Sequence, residues 1–486
     1  MQVQERLFIG GEWVQPATTA TIEVISPHTE DVIARVAEGR EADVDRAVAA
    51  ARAAFDEGPW PHLPAAERAD VMARLLALLQ ERSAELAVTI TNEMGSPISF
   101  SNMAQVMAAN MVLDYFVRLA REYPFEEVRP GMLGPTVVRR EPVGVAACII
   151  PWNVPLFTAM LKLGPALAAG ATVVLKPAPE TPLDAIILAD ALRDAGLPKG
   201  VVNIIPAGRE VGEHLVRHRG IDKVAFTGST AAGRRIAGIC GEQLKRVTLE
   251  LGGKSAAIIL DDADVATAVS GLLPAAIMNN GQACVAQTRI LASRARYRDV
   301  ADALTDAMRG VQVGDPLDPS TLCGPLVAAR QRERVESYIR IGREEGARVT
   351  CGGGRPAGLT KGWYVEPTVF VDVDNRMRIA QEEIFGPVLA VIPYDDVDDA
   401  VRIANDSDYG LSGSVWSGDI DAGMAIARRV RTGTYTVNGF AMEFSAPFGG
   451  FKASGLGREL GPEGLAAYLE AKQINLPMGY DVQTQR

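Results

Sequence analysis

Histidine is scarce in this chain and the cysteines are few and scattered. Four histidines occur in 486 residues, at His28, His62, His214 and His218. His214 and His218 are four apart and can share a helix face. Leu215, Val216 and Arg217 lie between them, so no HExxH is formed. A solvated face and no bound metal are expected. The five cysteines, Cys148, Cys240, Cys284, Cys323 and Cys351, make no CxxC pair. Such a set fits reduced thiols in a cytoplasm better than a disulfide framework. Positive charge is in deficit, with a net charge of −11 and no basic cluster, which argues against a nucleic-acid partner. Long apolar runs are missing too. The longest, between Lys162 and Lys176, is interrupted by Gly164, Pro165 and Gly170 and is too short to span a bilayer. The start, Met1 to Arg6, has no basic region followed by an apolar stretch, so no signal peptide is read. A cytoplasmic protein without membrane contact is expected.

What is present is ordinary for a globular protein: 48% hydrophobic and 22% charged residues. The length calls for two or three domains. An amphipathic helix is predicted over 41–56, and a longer one from about Pro64 to Gly95 with Val71, Leu75, Leu78, Leu79 and Leu86 on a stripe. A third carries Met103, Val106, Met107, Met111 and Phe116 and ends at Pro124. Its methionines are expected to pack inward. Residues 137–150 read as a strand or hairpin arm. Strands and helices then alternate. The strands are Ala171–Leu175, Val201–Ile205, Val224–Phe226 and Val247–Leu251; the helices are Pro182–Leu192, Glu210–Val216 and Thr230–Ile239. This βαβ order implies a parallel sheet covered by helices, with ligands at the carboxyl ends of its strands. A second alternating region follows Cys284, with strands at Thr288–Leu291, near Val369 and at Val388–Ile392, and helices at 299–309 and 328–345. The extended apolar tail, Gln473 to Met478, is expected to add a strand to a partner subunit.

Two stretches carry chemistry. In Asn279-Asn280-Gly281-Gln282-Ala283-Cys284-Val285, a thiol sits among small and amide-bearing residues. In Val247-Thr248-Leu249-Glu250-Leu251-Gly252-Gly253-Lys254, a short strand delivers a carboxylate and stops at two glycines. A thiol and a carboxylate beside glycines suggest covalent catalysis with a general base, although free cysteine is more often a small buried hydrophobe. No well-formed GxGxxG occurs. Phe226-Thr227-Gly228-Ser229-Thr230-Ala231-Ala232-Gly233 is the better phosphate site: a strand ends, glycine turns, and hydroxyls precede a helix whose N–H groups favour an anion. A plain Ser/Thr helix cap is the commoner use of such a turn. Lys176 ends another strand, where it could meet a ribose or phosphate or stay a surface charge.

Together with these pieces come Pro151-Trp152-Asn153-Val154-Pro155, the Lys162-Leu-Gly-Pro-Ala-Leu segment, Lys176-Pro177-Ala178, Glu382-Glu383-Ile384-Phe385-Gly386-Pro387 and Pro447-Phe448-Gly449-Gly450-Phe451-Lys452-Ala453-Ser454-Gly455. In this order, over nearly the whole length, the chain resembles the aldehyde dehydrogenase superfamily. The resemblance implies an α/β fold. A Rossmann-type dinucleotide-binding domain would span 1–123 and 144–253, and a second α/β catalytic domain 254–444. An oligomerisation arm and tail would occupy 124–143 and 465–486 of a homodimer or homotetramer.

By that resemblance Cys284 is the nucleophile and Glu250 the base. Asn153, with the Cys284 N–H, is the oxyanion hole, and Lys162 supports proton movement. NAD, with NADP possible, would meet Ile150, Trp152, Lys176, Gly228, Ser229, Gly233, Leu251, Gln331, Glu383 and Phe385. A neutral, apolar aldehyde would lie among Val154, Leu161, Ala283, Val285, Met442 and Phe448. Two positions depart from the family's frequent pattern. Pro179 stands where NAD-preferring members often carry glutamate, with Glu180 one place later. Val154 and Leu161 replace frequent aromatics, which points to an aliphatic pocket entrance. The chemistry follows from thiol addition: it makes a tetrahedral oxyanion that can release hydride and leave a thioester for hydrolysis. A thiol with an ordinary pKa of about 8.5 needs a lowered pKa or a nearby base. A cofactor-free thiol hydrolase and a non-catalytic structural member of the fold are the alternatives. A coenzyme-A-acylating enzyme ranks below them, because such members usually lack the glutamate.

Overall fold

A computed structural model describes residues 2–480 and 482; Met1, residue 481 and residues 483–486, which include the end of the expected tail, lie outside the described residues. Five short apolar runs form the middle of an eight-stranded sheet: Val145–Ile149, Thr172–Lys176, Val202–Ile204, Lys223–Thr227 and Arg246–Glu250. They pair parallel. Helices cover both faces, which is why these strands read as continuous apolar runs and not as alternation. Val145–Ile149, first in sequence of the five, lies in their middle. The next two strands lie on one side and the last two on the other. Strand order therefore reverses between Val145–Ile149 and Lys223–Thr227, and a crevice opens at their carboxyl ends. Trp152 and Asn153 follow one strand; Gly228 and Ser229 follow the other.

A seven-stranded sheet follows. Ala256–Ile259, Arg289–Ser293, Thr368–Val371, Val388–Tyr394, Gly413–Trp416 and Thr436–Val437 run parallel, with Arg348–Cys351 antiparallel at one edge. It has its own cores, with Ile258, Leu291, Phe370 and Val415 on one face and Ile259, Ile290, Leu304 and Trp416 on the other. Burying each such side chain contributes about 1.5–3 kcal/mol before entropy is counted. The chain then returns. Gly455–Leu456 pairs antiparallel with Arg246–Glu250, setting Gly455 opposite Glu250.

Three expectations are corrected. The helix from Pro64 to Gly95 is two helices, Ala65–Glu81 and Ser83–Met94. At the break, Arg82 is drawn to the Ile187 carbonyl and the Asp194 carboxylate. Residues 137–150 belong to two strands of different sheets, Thr136–Pro142 and Val145–Ile149. Met103, Met107 and Met111 do not pack inward: each is about half exposed or more, at 59%, 50% and 48%. The buried row on this segment is Val106, Ala109, Leu113 and Phe116. Both rows have near-helical spacing, so spacing alone cannot say which one faces the core. The tail also pairs within its own chain: Leu469–Asn475 runs antiparallel to Thr136–Pro142, which pairs in turn with Glu126–Arg129. Leu469–Asn475 is an edge strand of this three-stranded sheet.

Candidate active site

The cysteine segment is shaped by side-chain amides. The helix Val265–Ile277 stops, and Asn279 and Asn280 turn left-handed, with φ of +54° and +63°. Asparagine tolerates this better than most residues. Gly281 follows with φ of +73°. A Cβ there would lie 2.2 Å from the Gly386 backbone, so only glycine passes. Asn280 Nδ2 donates to the Gly95 and Pro325 carbonyls at 2.8 and 2.9 Å, and its Oδ1 accepts from Gly324 N at 2.6 Å. Gln282 Oε1 accepts from Val327 N at 3.1 Å. The thiol is thus placed by a loop tied to both flanking regions.

Cys284 is half-buried, whereas the other four cysteines are buried. The N–H groups of Cys284 and Val285 face its sulfur. Burial, and then the carboxylates of Glu383 and Glu250, push the thiol up to about 12. Of the two routes to activation, a lowered thiol pKa is therefore absent, since the two carboxyl neighbours resist a thiolate, and a nearby base is the route left.

The carboxyl group expected to be that base, Glu250, lies at the end of Arg246–Glu250 and is 3% exposed. Neither carboxyl oxygen has a hydrogen-bond partner among the described residues. Burial, and then the charge of Glu459, push its pKa well above the usual carboxylate range; Lys162 and Arg458 oppose this. The two chemical stretches meet at Gly253, where a Cβ would fall 2.2 Å from the Cys284 carbonyl oxygen. Lys162, on the helix Pro155–Ala169, donates to Glu459 Oε1 at 2.6 Å and to Thr227 Oγ1 at 2.7 Å. Glu459 and Thr227 escaped the sequence reading. The available signal for Glu459 was a carboxylate among glycines, in Gly455-Leu-Gly-Arg-Glu-Leu-Gly461.

Asn153 lies between the strand Val145–Ile149 and the helix that Pro155 opens. Its Nδ2 donates to the Gln282 carbonyl at 2.9 Å, joining the first sheet's crevice to the cysteine loop. Val154, Ala283 and Met442 are partly buried; Leu161, Val285 and Phe448 are buried. All six belong to, or pack against, one apolar cluster that Cys284 also touches. The cluster includes Phe157 and Phe444, with ring centroids 6.5 Å apart. The cluster around the expected aliphatic entrance thus also holds two aromatic rings.

The expected cofactor residues gather around the crevice. Ser229 caps the helix Thr230–Glu242, its Oγ accepting from Ala232 N at 3.3 Å. The plain cap is thus realised, and the first turn's remaining N–H groups stay available to an anion. Gly228 precedes it, and Gly233 lies against Leu251, whose Cδ2 would meet an added Cβ at 2.4 Å. Ile150 N donates to the Lys176 carbonyl at 3.1 Å. Lys176 is no surface charge: its Nζ donates to the Pro177 and Ala207 carbonyls at 2.8 and 2.6 Å, and burial lowers its pKa to about 8. Glu180 forms an ion pair with Arg330. Trp152 and Phe385 meet edge to face at 5.4 Å, and Gln331 Nε2 donates to the Phe385 carbonyl at 2.6 Å. Glu383 Oε1 accepts from Gly253 N at 2.9 Å. A helix start open to an anion and a half-buried acceptor carboxylate fit the phosphates and hydroxyls of a dinucleotide.

The profile of the aldehyde dehydrogenase family matches residues 13–474. A geranial dehydrogenase of Castellaniella defragrans is 48% identical over 473 residues, covering 97% of this chain and 98% of that one. A Mycobacterium tuberculosis aldehyde dehydrogenase solved with NAD+ superposes with a TM-score of 0.98 at 50% identity, over 99% and 100% of the two chains. A cysteine-to-alanine variant of an aldehyde dehydrogenase from Pseudomonas syringae, solved with NAD+ and octanal, gives 0.94 at 44% identity, over 97% and 96%. A thiol, a partnerless buried carboxyl and an open helix start, carried on a chain matched end to end, have one common explanation: this protein belongs to the aldehyde dehydrogenase family.

Proposed function

We propose that this aldehyde dehydrogenase oxidises a neutral, apolar aldehyde to its carboxylic acid, using NAD, through a covalent adduct on Cys284. The observation that carries the reading is that Cys284, with Glu250 close enough to act on the charge of its thiol, packs against the apolar cluster that holds Val154, Leu161, Val285, Met442 and Phe448. Related enzymes are named for geranial or were solved with octanal, both neutral and apolar aldehydes.

The thiol gives its proton to Glu250 as sulfur bonds to the carbonyl carbon. The carbonyl oxygen becomes an oxyanion that accepts from the Asn153 amide and the Cys284 N–H. Losing one such donor costs on the order of 10²–10³ in rate. The nicotinamide, when bound, supplies the hydride acceptor. Cys284 is left as a thioester. Glu250 passes the thiol's proton on, with Lys162 and Glu459 offering it a buried way out, and is a carboxylate again. It then takes a proton from the water that attacks the acyl carbon; the C–S bond breaks, and sulfur leaves as a thiolate that takes up a proton. For the cofactor, Gly228, Ser229 and Gly233 serve the pyrophosphate. Lys176 serves the adenine ribose, Gln331 and Glu383 the nicotinamide ribose, and Ile150, Trp152, Leu251 and Phe385 pack around the rings. Residues 1–123 and 144–253 act as the dinucleotide-binding domain and 254–444 as the catalytic domain. The arm formed by 124–143 and 465–486 joins subunits of a homodimer or homotetramer in the cytoplasm.

Glu250→Gln separates the two halves of the reaction. With excess NAD and aldehyde, the burst of reduced cofactor should be lost or strongly slowed, because no carboxylate takes the thiol proton. A fast burst near one per site, followed by a slow phase and with the acyl group found on Cys284 by mass, would confine the role of Glu250 to thioester hydrolysis.

A further inference from the structure

Gln105 is wholly buried, although it sits on a segment with exposed methionines on either side. The segment Ser101–Met107 is a π-helical turn, a rare geometry that tends to occur at functional sites. Gln105 Nε2 donates to the Asn153 carbonyl at 3.3 Å. Asn279 Nδ2 donates to the same oxygen at 2.8 Å. On the other side of the residue, the Asn153 side-chain amide donates to the Gln282 carbonyl. A primary amide has two N–H donors. One of those on Asn153 is thus spent on the cysteine loop, and a single N–H remains for an oxyanion. Its direction depends on how the Asn153 residue is held, and two buried amides grip that residue by its carbonyl.

The energetics do not favour Gln105 as a device for stability. Its Oε1 is buried with no partner among the described residues. A partnerless buried acceptor costs more than one long hydrogen bond returns. An apolar side chain of the same length would pack there without that cost. A polar group retained at a net loss is expected where it serves function.

We infer that Gln105 is a positioning residue, holding the Asn153 carbonyl so that the free Asn153 N–H faces the oxyanion. The inference rests on the reading of Asn153 as an oxyanion donor. Gln105→Met removes the amide and keeps the length. In stopped flow, its burst of reduced cofactor should slow by on the order of 10- to 100-fold, with KM for the aldehyde and the melting temperature held or the latter raised. Placed on Asn153→Ala, the same change should slow the burst by less than about twofold, because the donor it aims is gone. A Gln105→Met burst within about twofold of wild type overturns the inference. So does an equal slowing in both backgrounds, or a rise in KM alone. Gln105→Leu repeats the test should the Met variant fold poorly, and failure of both to fold would make Gln105 structural, which also overturns it. If Asn153→Ala itself bursts at the wild-type rate, the reading of Asn153 falls first and takes this inference with it.

Discussion

Lys162 and Glu459 form an ion pair, 2.6 Å from Nζ to Oε1, between side chains that have almost no contact with solvent. The pair lies beside Glu250, and its two charges act on the Glu250 pKa in opposite directions. Lys162→Met or Glu459→Leu alone leaves one charge buried and unpaired, and each should lose about 3–5 kcal/mol of stability. The double variant should recover much of that loss in a denaturant titration. Glu459→Gln removes the charge that raises Glu250. A base with a raised pKa works only above that pKa, so the rising limb of kcat against pH should move to lower pH. A limb that stays in place would detach Glu459 from the base.

The Cys284 thiol, pushed up to about 12, should be protonated in the free protein at neutral pH. Alkylation should then quicken by about tenfold per pH unit from neutral to alkaline pH, without levelling off. A plateau near neutrality would reveal an activation absent from this structure. Cys284→Ala should abolish dehydrogenation and spare cofactor binding. Cys148, Cys240, Cys323 and Cys351 should tolerate alanine with activity retained. Serine at these buried sites is less benign, because it brings a hydroxyl that needs a partner.

Cofactor choice should turn on Glu180. Its charge is offset by Arg330, so NAD should be used with detectable NADP activity. Glu180→Ala should raise the NADP share of kcat/KM by about tenfold or more, by removing like-charge repulsion of a 2′-phosphate. Pro179→Glu and Arg330→Ala should lower it. Arg330 is the exposed member of the pair, at 60% against 19% for Glu180, so Arg330→Ala should fold normally. A wild type that refuses NADP, with Glu180→Ala unchanged, would place the discrimination elsewhere.

Deletion from Leu469 onward would strip the outer strand from Thr136–Pro142. Sedimentation should then show monomers or aggregate in place of the oligomer. Retention of the native assembly would remove the arm from the subunit interface.

Local chemistry was the legible part of this protein. The turn at Phe226–Thr230 and the cysteine loop each draw their shape from neighbouring residues, so composition marked them. The parallel sheet was legible because strands buried on both faces must be continuous apolar runs. Glu459 was not, because the partner that gives it meaning is 297 residues away in sequence. The residues around Lys176 left it between a ribose or phosphate contact and a surface charge, because only the fold brings the Ala207 carbonyl to its ammonium. The methionine row showed a different limit: periodicity finds a helix and its faces, but not which face the rest of the chain will cover.

The return of Gly455–Leu456 to the first sheet bears on how the protein is made. Until that strand arrives, Arg246–Glu250 is an outer strand with unpaired backbone groups. A ribosome must synthesise the whole second sheet before the cover exists. The nascent N-terminal half therefore waits with an adhesive edge exposed, and with Glu250 at the end of that edge. Contacts so distant in sequence form slowly, and incomplete sheets of this kind aggregate. Slow synthesis of the segment between the two sheets, or chaperone shielding during it, should therefore govern the yield of active enzyme more than the stability of the finished fold does.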